Sequence, residues 1–254
     1  MRWMTLATLS FLGLFSGVAG AAERCEPVDH DGNRYIVCEV RAGQDDLRLW
    51  LTAPDGAIYG SFDRLNRTLA DDGLRLGFAM NAGMYHSDRT PVGLYLDRAG
   101  QAGKLVTSAG PGNFGMLPNG VFCIGPEGFA VLETRRFADS PPVCDYATQS
   151  GPMLVIDGEL HPRFLVDATS RYVRNGVGVS EDGSRAWFVI SDRRVTFHEF
   201  GRMFRDGLGT PNALYFDGNI SRLHAPGLRR SDWGLPLGPI VGTVVPIDED
   251  HAGG

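Results

Sequence analysis

The chain is short of the signatures that make a function easy to assign. It has no phosphate-binding P-loop, no Gly-x-Ser-x-Gly elbow, no His-Glu-x-x-His pair and no Gly-x-Gly-x-x-Gly in a strand-to-helix setting. The commonest nucleotide, serine-hydrolase, metalloprotease and dinucleotide readings fall away with them. Charge is not concentrated either: 24 Lys and Arg stand against 30 Asp and Glu, a net charge of -6, with no block of like charges. Nucleic acid and anionic membrane are therefore not expected partners. No internal repeat or low-complexity linker divides the chain, and its length suits one strand-rich domain.

Long apolar runs are scarce as well. The single candidate is at the start, where Arg2 precedes an apolar run from Leu6 to Val18 that is interrupted by Thr8, Ser10, Gly13 and Ser16. It falls short of the roughly 20 apolar residues a spanning helix needs. Small residues follow at Ala19, Gly20, Ala21 and Ala22, the order of a secretory signal peptide. The expectation is a leader over residues 1–21, a domain over 22–254, and a periplasmic or secreted location, with a retained anchor as the alternative.

Cysteine is sparse and shows no Cys-x-x-Cys spacing: Cys25, Cys38, Cys123 and Cys144. Structural zinc is the weaker reading, because neither the thiol spacing nor the nearby histidines fit it. An even number of thiols in an exported chain reads as two disulfides. Of the three connectivities, Cys25–Cys38 with Cys123–Cys144 is preferred, since each closes a short loop.

What is present is a series of short apolar, β-branched and aromatic runs set off by Gly, Pro, Asp and Asn: RYIVCEV, LRLWLT, LRLGFAMN, VGLYLD, GVFCI and FAVLET, then runs at 152–156, 176–179, 185–191, 213–216 and 240–247. This is strand-and-hairpin text. Two segments carry helical spacing instead. One is 196–208, with Phe197, Phe200, Met203, Phe204 and Leu208 on one face and a capping box of Thr196 and Glu199; the other is 61–70, with Phe62, Leu65 and Leu69 on one stripe. The expected fold class is α+β: a mixed, largely antiparallel sheet with a few packed helices, in a single domain.

Candidate chemistry gathers at strand ends. NAGMYHSDRTPVG from Asn81, NFGMLPNG from Asn113, TQSGPM from Thr148, RYVRNGVG from Arg171 and YFDGNISRL from Tyr215 each place glycine beside hydrogen-bonding side chains. Any one of these segments is most simply a turn; five in one chain suggest a pocket for a polar ligand. His86 lies in one such loop, where it could act as acid or base. A Ser-His-Asp arrangement using Ser150 or Ser221 with His86 or His224 has no support from spacing.

The ordered segments NAGMY, SGPMLVIDG, RNGVGV and FDGNIS resemble the phosphodiester glycosidase family, over about residues 76–245. The flanking text MYHSDRTPVGLY and ATQSGPMLVIDG is closest to its bacterial secreted, exopolysaccharide-related branch. The family's Asn-Gly-Gly turn corresponds to Asn81, Ala82 and Gly83, so the middle glycine is replaced. Its Gly-Pro pair is Gly151 and Pro152, its arginine is Arg174, and its Asp-Gly-Gly-x-Ser turn is Asp217, Gly218, Asn219 and Ser221, with Asn219 in place of the second glycine.

The resemblance implies hydrolysis of a bond between an anomeric sugar carbon and a phosphodiester, in envelope glycans or related glycoconjugates. A departing phosphate monoester is a weak base, so such a site needs charge neutralisation around the phosphate and a carboxylate near the anomeric carbon or the attacking water. Arg174 is the expected phosphate ligand, through its planar fork. Asp217, at the end of the strand ALYF and before Gly218, is the expected carboxylate, and Asp192, after WFVIS, a second one. Asn81, Gly83, His86, Asn119, Ser150, Gly151, Asn175, Gly218 and Ser221 are the expected substrate-binding set. No cofactor is implied; Asp192 and Asp217 could share a divalent cation, but no dedicated ligand loop supports one. The alternative is a non-catalytic carbohydrate- or exopolysaccharide-binding protein with the same pocket, for which paired Asp217 and Arg174 would have no purpose.

Overall fold

The computed structural model describes residues 24–247, so the expected leader at 1–21 lies outside the described residues. Its strands form three sheets. A seven-stranded sheet runs in the order Cys25–His30, Asn33–Arg41, Arg185–Ser191, Asn175–Val179, Asn212–Asp217, Met153–Ile156, Glu159–Leu160. A second holds Arg230–Ser231, Leu223–Ala225, Leu74–Asn81, Ile240–Pro246 and Asp46–Trp50; the third holds Gly100–Ala102, Tyr95–Asp97, Tyr146–Ser150, Gly120–Gly125 and Gly128–Glu133. The class is α+β as expected. In place of one mixed sheet there are three, and the strand pairings within them are antiparallel.

The central strands are apolar throughout because both of their faces are covered. Along Arg185–Ser191, Ala186, Phe188 and Ile190 enter a core shared by all three sheets, while Trp187 and Val189 face a second cluster under a helix. In the shared core Phe78 of the second sheet lies 5.2 Å from Phe188, and Phe122 of the third lies 5.6 Å from it, edge to face. One ring from each sheet thus meets at a single point, in geometry that aromatic pairs favour.

Both expected helices form. Phe62–Ala70 starts at Ser61, whose hydroxyl accepts from Arg64 N at 3.2 Å. It seats Phe62, Leu65 and Leu69 on Leu76, Ile240 and Val244. Phe197–Arg202 opens on the expected capping box: Glu199 N donates to Thr196 Oγ1 at 3.1 Å and Thr196 N to Glu199 Oε2 at 2.8 Å. It continues as a π-helical turn over Met203–Gly207, burying Phe200, Met203 and Phe204 against the seven-stranded sheet. A third helix, Thr134–Asp139, was not expected; the Glu133 carboxylate caps it by accepting from Arg135 N and Arg136 N. It follows its strand without an intervening turn residue, so nothing in the text separates the two.

Cys25 bonds to Cys38 and Cys123 to Cys144, the local connectivity. Cys25 and Cys38 are direct register partners in the first hairpin, which brings the thiols together. Among the described residues no helix is long and apolar enough to cross a membrane.

Candidate functional site

The three sheets meet at their ends, at the segments singled out in the sequence. Asn81 ends a strand of the second sheet, Ser150 ends one of the third, and in the seven-stranded sheet Asn175 opens one strand while Asp217 closes its neighbour. Asn175 and Asp217 are register partners, with an irregularity directly after them. Side chains then join the sheets. Asn175 Nδ2 donates to Asn81 O at 2.8 Å, Ser150 Oγ to Phe216 O at 3.0 Å, and Thr148 Oγ1 to Ala82 O at 2.9 Å. The Asn81 carboxamide oxygen also accepts Arg222 N at 3.0 Å. Asn81, Ser150 and Asn175 are fully buried, and buried polar groups of this kind must find partners. They form the knot that holds the site in place.

Asp217 stands at the edge of that knot. Gly218 N and Asn219 N donate to its Oδ1 at 2.6 and 2.8 Å. Asp217 N donates to Asn175 Oδ1 at 3.2 Å, and Ser221 Oγ donates to Asp217 O at 2.8 Å. The carboxyl is therefore fixed at one oxygen while the side chain lines an open cleft. Burial raises its pKa above the ordinary carboxylate range against the opposing pull of the amide donors. Gly218 is glycine for space: a methyl group built on it would lie 2.0 Å from Tyr215 Oη. Gly83, at φ +102°, lets its loop pass the third sheet; there a Cβ would meet Thr148 Oγ1 at 2.9 Å.

The cleft has a volume of about 370 Å³ and joins Asp217 and Asn219 to Tyr85, His86 and Arg89. His86 thus lies where the sequence reading placed it, exposed at the cleft wall. Arg89 was missed. It sits at φ +73° in a tight turn shaped by Asp88, whose carboxylate accepts from Thr90 N and Thr90 Oγ1. Its guanidinium lies 5.5 Å from the Tyr85 ring centre and has no carboxylate partner among the described residues. Tyr85 is raised to about 12 by burial first and by the charge of Asp217 second. The sequence signal was available, since Arg89 lies inside the segment from Asn81; what was hidden is that the turn carries it back toward Asp217.

Other expected residues take different positions. Arg174 is fully buried behind Tyr215 rather than lining the cleft. Its guanidinium donates to Val195 O at 2.9 Å, Tyr215 Oη at 3.2 Å and Ser170 O at 3.3 Å, and lies 3.7 Å from the Phe197 ring centre. It does not face the cleft in this arrangement, because Phe197 of the helix and Tyr215 of the adjacent strand pack against its guanidinium. Burial lowers its pKa. Asp192 lies at the same end of the sheet but is held by Arg230 Nη1 at 3.0 Å and Arg34 Nε at 3.8 Å. It does not line the cleft with Asp217, so the expected second carboxylate does not stand beside the first. Among the described residues no group of three or more His, Cys, Asp or Glu is placed to hold a metal.

Asn119 is buried beneath Gly151, where a Cβ on the glycine would meet Asn119 Cβ at 2.6 Å; its Nδ2 donates to Phe114 O at 3.0 Å. Both residues support the junction from below. Ser150 and Ser221 direct their hydroxyls to carbonyl oxygens, and His224 Nδ1 contacts Ser231 Oγ at 2.9 Å. The serine-nucleophile arrangement is therefore not formed.

Comparison with known proteins follows this geometry. A family model described as phosphodiester glycosidase matches residues 75–224. The chain is 30% identical over 181 residues to the uncharacterized Escherichia coli (strain K12) protein YigE, covering 71% of this chain and 70% of that one. Among solved structures it is similar to the catalytic domain of zebrafish N-acetylglucosamine-1-phosphodiester alpha-N-acetylglucosaminidase, with a TM-score of 0.53 and 16% identity over 89% of this chain and 81% of that one. The last is a likeness of fold.

Proposed function

Because the chain belongs to the phosphodiester glycosidase family, we propose that it is an exported hydrolase that cleaves the bond between an anomeric sugar carbon and a phosphodiester in envelope glycans or related glycoconjugates. The observation that carries this reading is the cleft lined by both Asp217 and Arg89, whose guanidinium lies over the Tyr85 ring and has no carboxylate partner among the described residues. Neutral sugar requires neither, whereas a diester phosphate needs the cation and its anomeric carbon needs the carboxylate. The two disulfides support an oxidising location.

The chemistry follows from the leaving group. Water attacks the anomeric carbon, the bond from that carbon to the phosphate oxygen breaks, and its electron pair departs with a phosphate monoester. Arg89 neutralises the departing charge through charge-assisted hydrogen bonds. Asp217 takes the proton of water or stabilises positive charge developing at the anomeric carbon. It is held for this at Oδ1 by Gly218 N and Asn219 N, on the wall of the cleft. His86 is positioned as a further proton carrier, and Asn219 as a hydroxyl or phosphate contact.

The test is a panel of sugar-1-phosphodiesters, from alkyl diesters to nucleotide sugars, assayed for released sugar with and without divalent cation. The wild type releases sugar and a phosphate monoester, and Asp217→Asn lowers kcat on the order of 10²-fold or more, the scale of a positioned acid-base group. Folded wild-type protein that binds these compounds but cleaves none refutes the hydrolase and leaves the carbohydrate-binding reading.

A further inference from the structure

A second cavity lies away from the sheet junction. Its volume is about 400 Å³, within the range of small-molecule sites. It opens where the edge strand Asp46–Trp50 of the second sheet faces two strands of the third, Tyr95–Asp97 and Tyr146–Ser150. Tyr146 starts the strand that Ser150 ends, so the cavity stands about 13 Å of extended chain from the junction. It shares no lining residue with the Asp217 cleft.

Its walls are pinned on both sides. After Trp50 the chain turns through a hairpin, Tyr59 N donating to Leu51 O at 3.0 Å and Ala53 N to Ala57 O at 2.8 Å, which returns Tyr59 to the cavity. Arg64 of the first helix ties that hairpin down, donating to Asp55 Oδ2 at 2.6 Å and Ile58 O at 3.1 Å. Opposite, Arg98 sits at the tip of the two-residue turn between Asp97 and Gly100, and Asp97 Oδ1 closes that turn by accepting Ala99 N at 2.8 Å. Trp50, Tyr59 and Tyr146 thus line the cavity from fixed backbone, and aromatic side chains offer broad apolar surface for the face of a ring.

The polar groups of the cavity are unevenly satisfied. Asp97 Oδ2 accepts from Tyr95 Oη at 2.8 Å, and Arg48 Nε donates to Asp46 Oδ1 at 2.8 Å, so these two charges are occupied. Two groups are left over. Tyr146 is only 5% exposed, and its hydroxyl is buried with no hydrogen-bond partner, a state that folded proteins rarely leave in place. The Arg98 guanidinium lies over the same ring, 5.9 Å from its centre, and has no carboxylate partner among the described residues. Burial raises the pKa of Tyr146 while Arg98, and after it Arg48, pull it down, so both guanidiniums stand within electrostatic reach of the hydroxyl. Arg98 is exposed and on a turn tip; drawn onto an anion, it uncovers the hydroxyl to the same ligand.

We infer that this cavity is a second ligand site, separate from the Asp217 cleft, for a single sugar ring bearing one acidic group, a carboxylate or a phosphate monoester. The acidic group meets Arg98 through charge-assisted hydrogen bonds and accepts from the Tyr146 hydroxyl. The apolar face of the ring lies on Trp50 and Tyr59. Thr52 and Asp97, which also line the cavity, take the ring hydroxyls, a use that a flat aromatic acid does not make of them. The site stands whether or not the Asp217 cleft is hydrolytic.

The test is titration calorimetry with glucuronate and a glucose phosphate monoester as probes, and with glucose, benzoate and inorganic phosphate as controls. The wild type binds at least one probe about tenfold or more tightly than any control. Arg98→Ala weakens that binding about tenfold, the scale of one charge-assisted hydrogen bond, and Tyr146→Phe, which removes only the hydroxyl, weakens it about fivefold. Arg89→Ala, in the other cleft, leaves it unchanged. This pattern with either probe upholds the site, and the tighter probe identifies the acidic group. Binding that is lost in Arg89→Ala and kept in Arg98→Ala belongs to the Asp217 cleft and overturns the inference. Glucose bound as tightly as the probes overturns the acidic ligand, and benzoate or inorganic phosphate bound as tightly overturns the sugar ring. Folded wild-type protein that binds neither probe at millimolar concentration overturns the site altogether.

Discussion

Replacing Gly218 with alanine places a methyl carbon 2.0 Å from Tyr215 Oη and 3.2 Å from Tyr215 Cζ. Either the Asp217 turn or the tyrosine must then move by about 1 Å, and overpacking of this kind costs about 1–3 kcal/mol. Tyr215 is fully buried and its hydroxyl accepts from Arg174 Nη1 at 3.2 Å. Pushing it aside strips a partner from a guanidinium that has no carboxylate to fall back on, which adds about 1–3 kcal/mol. A total near 4 kcal/mol corresponds to a fall in Tm of about 8–16 °C for a chain of this size. Tyr215→Phe removes the clashing oxygen and leaves the ring carbon at a distance that small adjustment relieves, so Gly218→Ala on Tyr215→Phe should cost far less than on the wild type. The assay is a double-mutant cycle by urea unfolding, with a coupling of about 1–3 kcal/mol in favour of the double variant. Single costs that add within about 0.5 kcal/mol would falsify the claim that the hydroxyl is what excludes a side chain at Gly218.

Arg89→Ala should lower kcat/KM for a sugar-1-phosphodiester by about 10²-fold, while Arg89→Lys recovers part of the loss by returning the charge without the fork; equal losses in both would assign Arg89 to shape rather than phosphate. Asp217 has its carboxyl pKa raised by burial, so activity requiring the carboxylate should fall with pH through a limb lying above the ordinary carboxylate range. The same shift favours the protonated form in the folded chain, and its stabilising contribution is lost as pH rises through the folded pKa. Asp217→Asn should accordingly keep or raise the Tm at neutral pH, and a clear drop would show the charge to be structural. His161, buried and stacked on Phe164, has its imidazole pushed down to about 4 by burial. Its contribution is full above the unfolded value of about 6.5 and is lost as pH falls through the folded value. His161→Phe should flatten the loss of urea-unfolding stability across that window. Removing the Cys123–Cys144 bond, which spans 21 residues, by replacing both cysteines with alanine should cost about 3 kcal/mol in urea unfolding; a change under about 1 kcal/mol would mean the third sheet fixes that loop without it.

Local pattern in the sequence determined most of the elements, because each depends on neighbours in the chain. Leu74–Asn81 and Arg185–Ser191 are strands at the bounds their composition suggests, and Thr196 and Glu199 mark a helix start that forms through those two side chains. Asp217 and the strand-end glycines were likewise legible as candidates, although a carboxylate before a glycine also caps its own turn, as Asp217 does by accepting from Gly218 N and Asn219 N. Helix Thr134–Asp139 was not, because its cap, Glu133, is also the last residue of a strand. The division into three sheets, and the meeting of Asn81, Ser150, Asn175 and Asp217 at their junction, depended on contacts between residues 94 and 66 apart in the chain. No periodicity encodes those distances. The placement of two arginines was decided in the same way. Arg174 directly precedes the strand that opens at Asn175 and lies against Phe197 of the neighbouring helix, so packing buries its guanidinium among carbonyls and rings. Arg89 lies in a turn that folds back onto the cleft. In the sequence both are arginines near glycine; which one faces the cleft is set by what the tertiary structure lays over each of them.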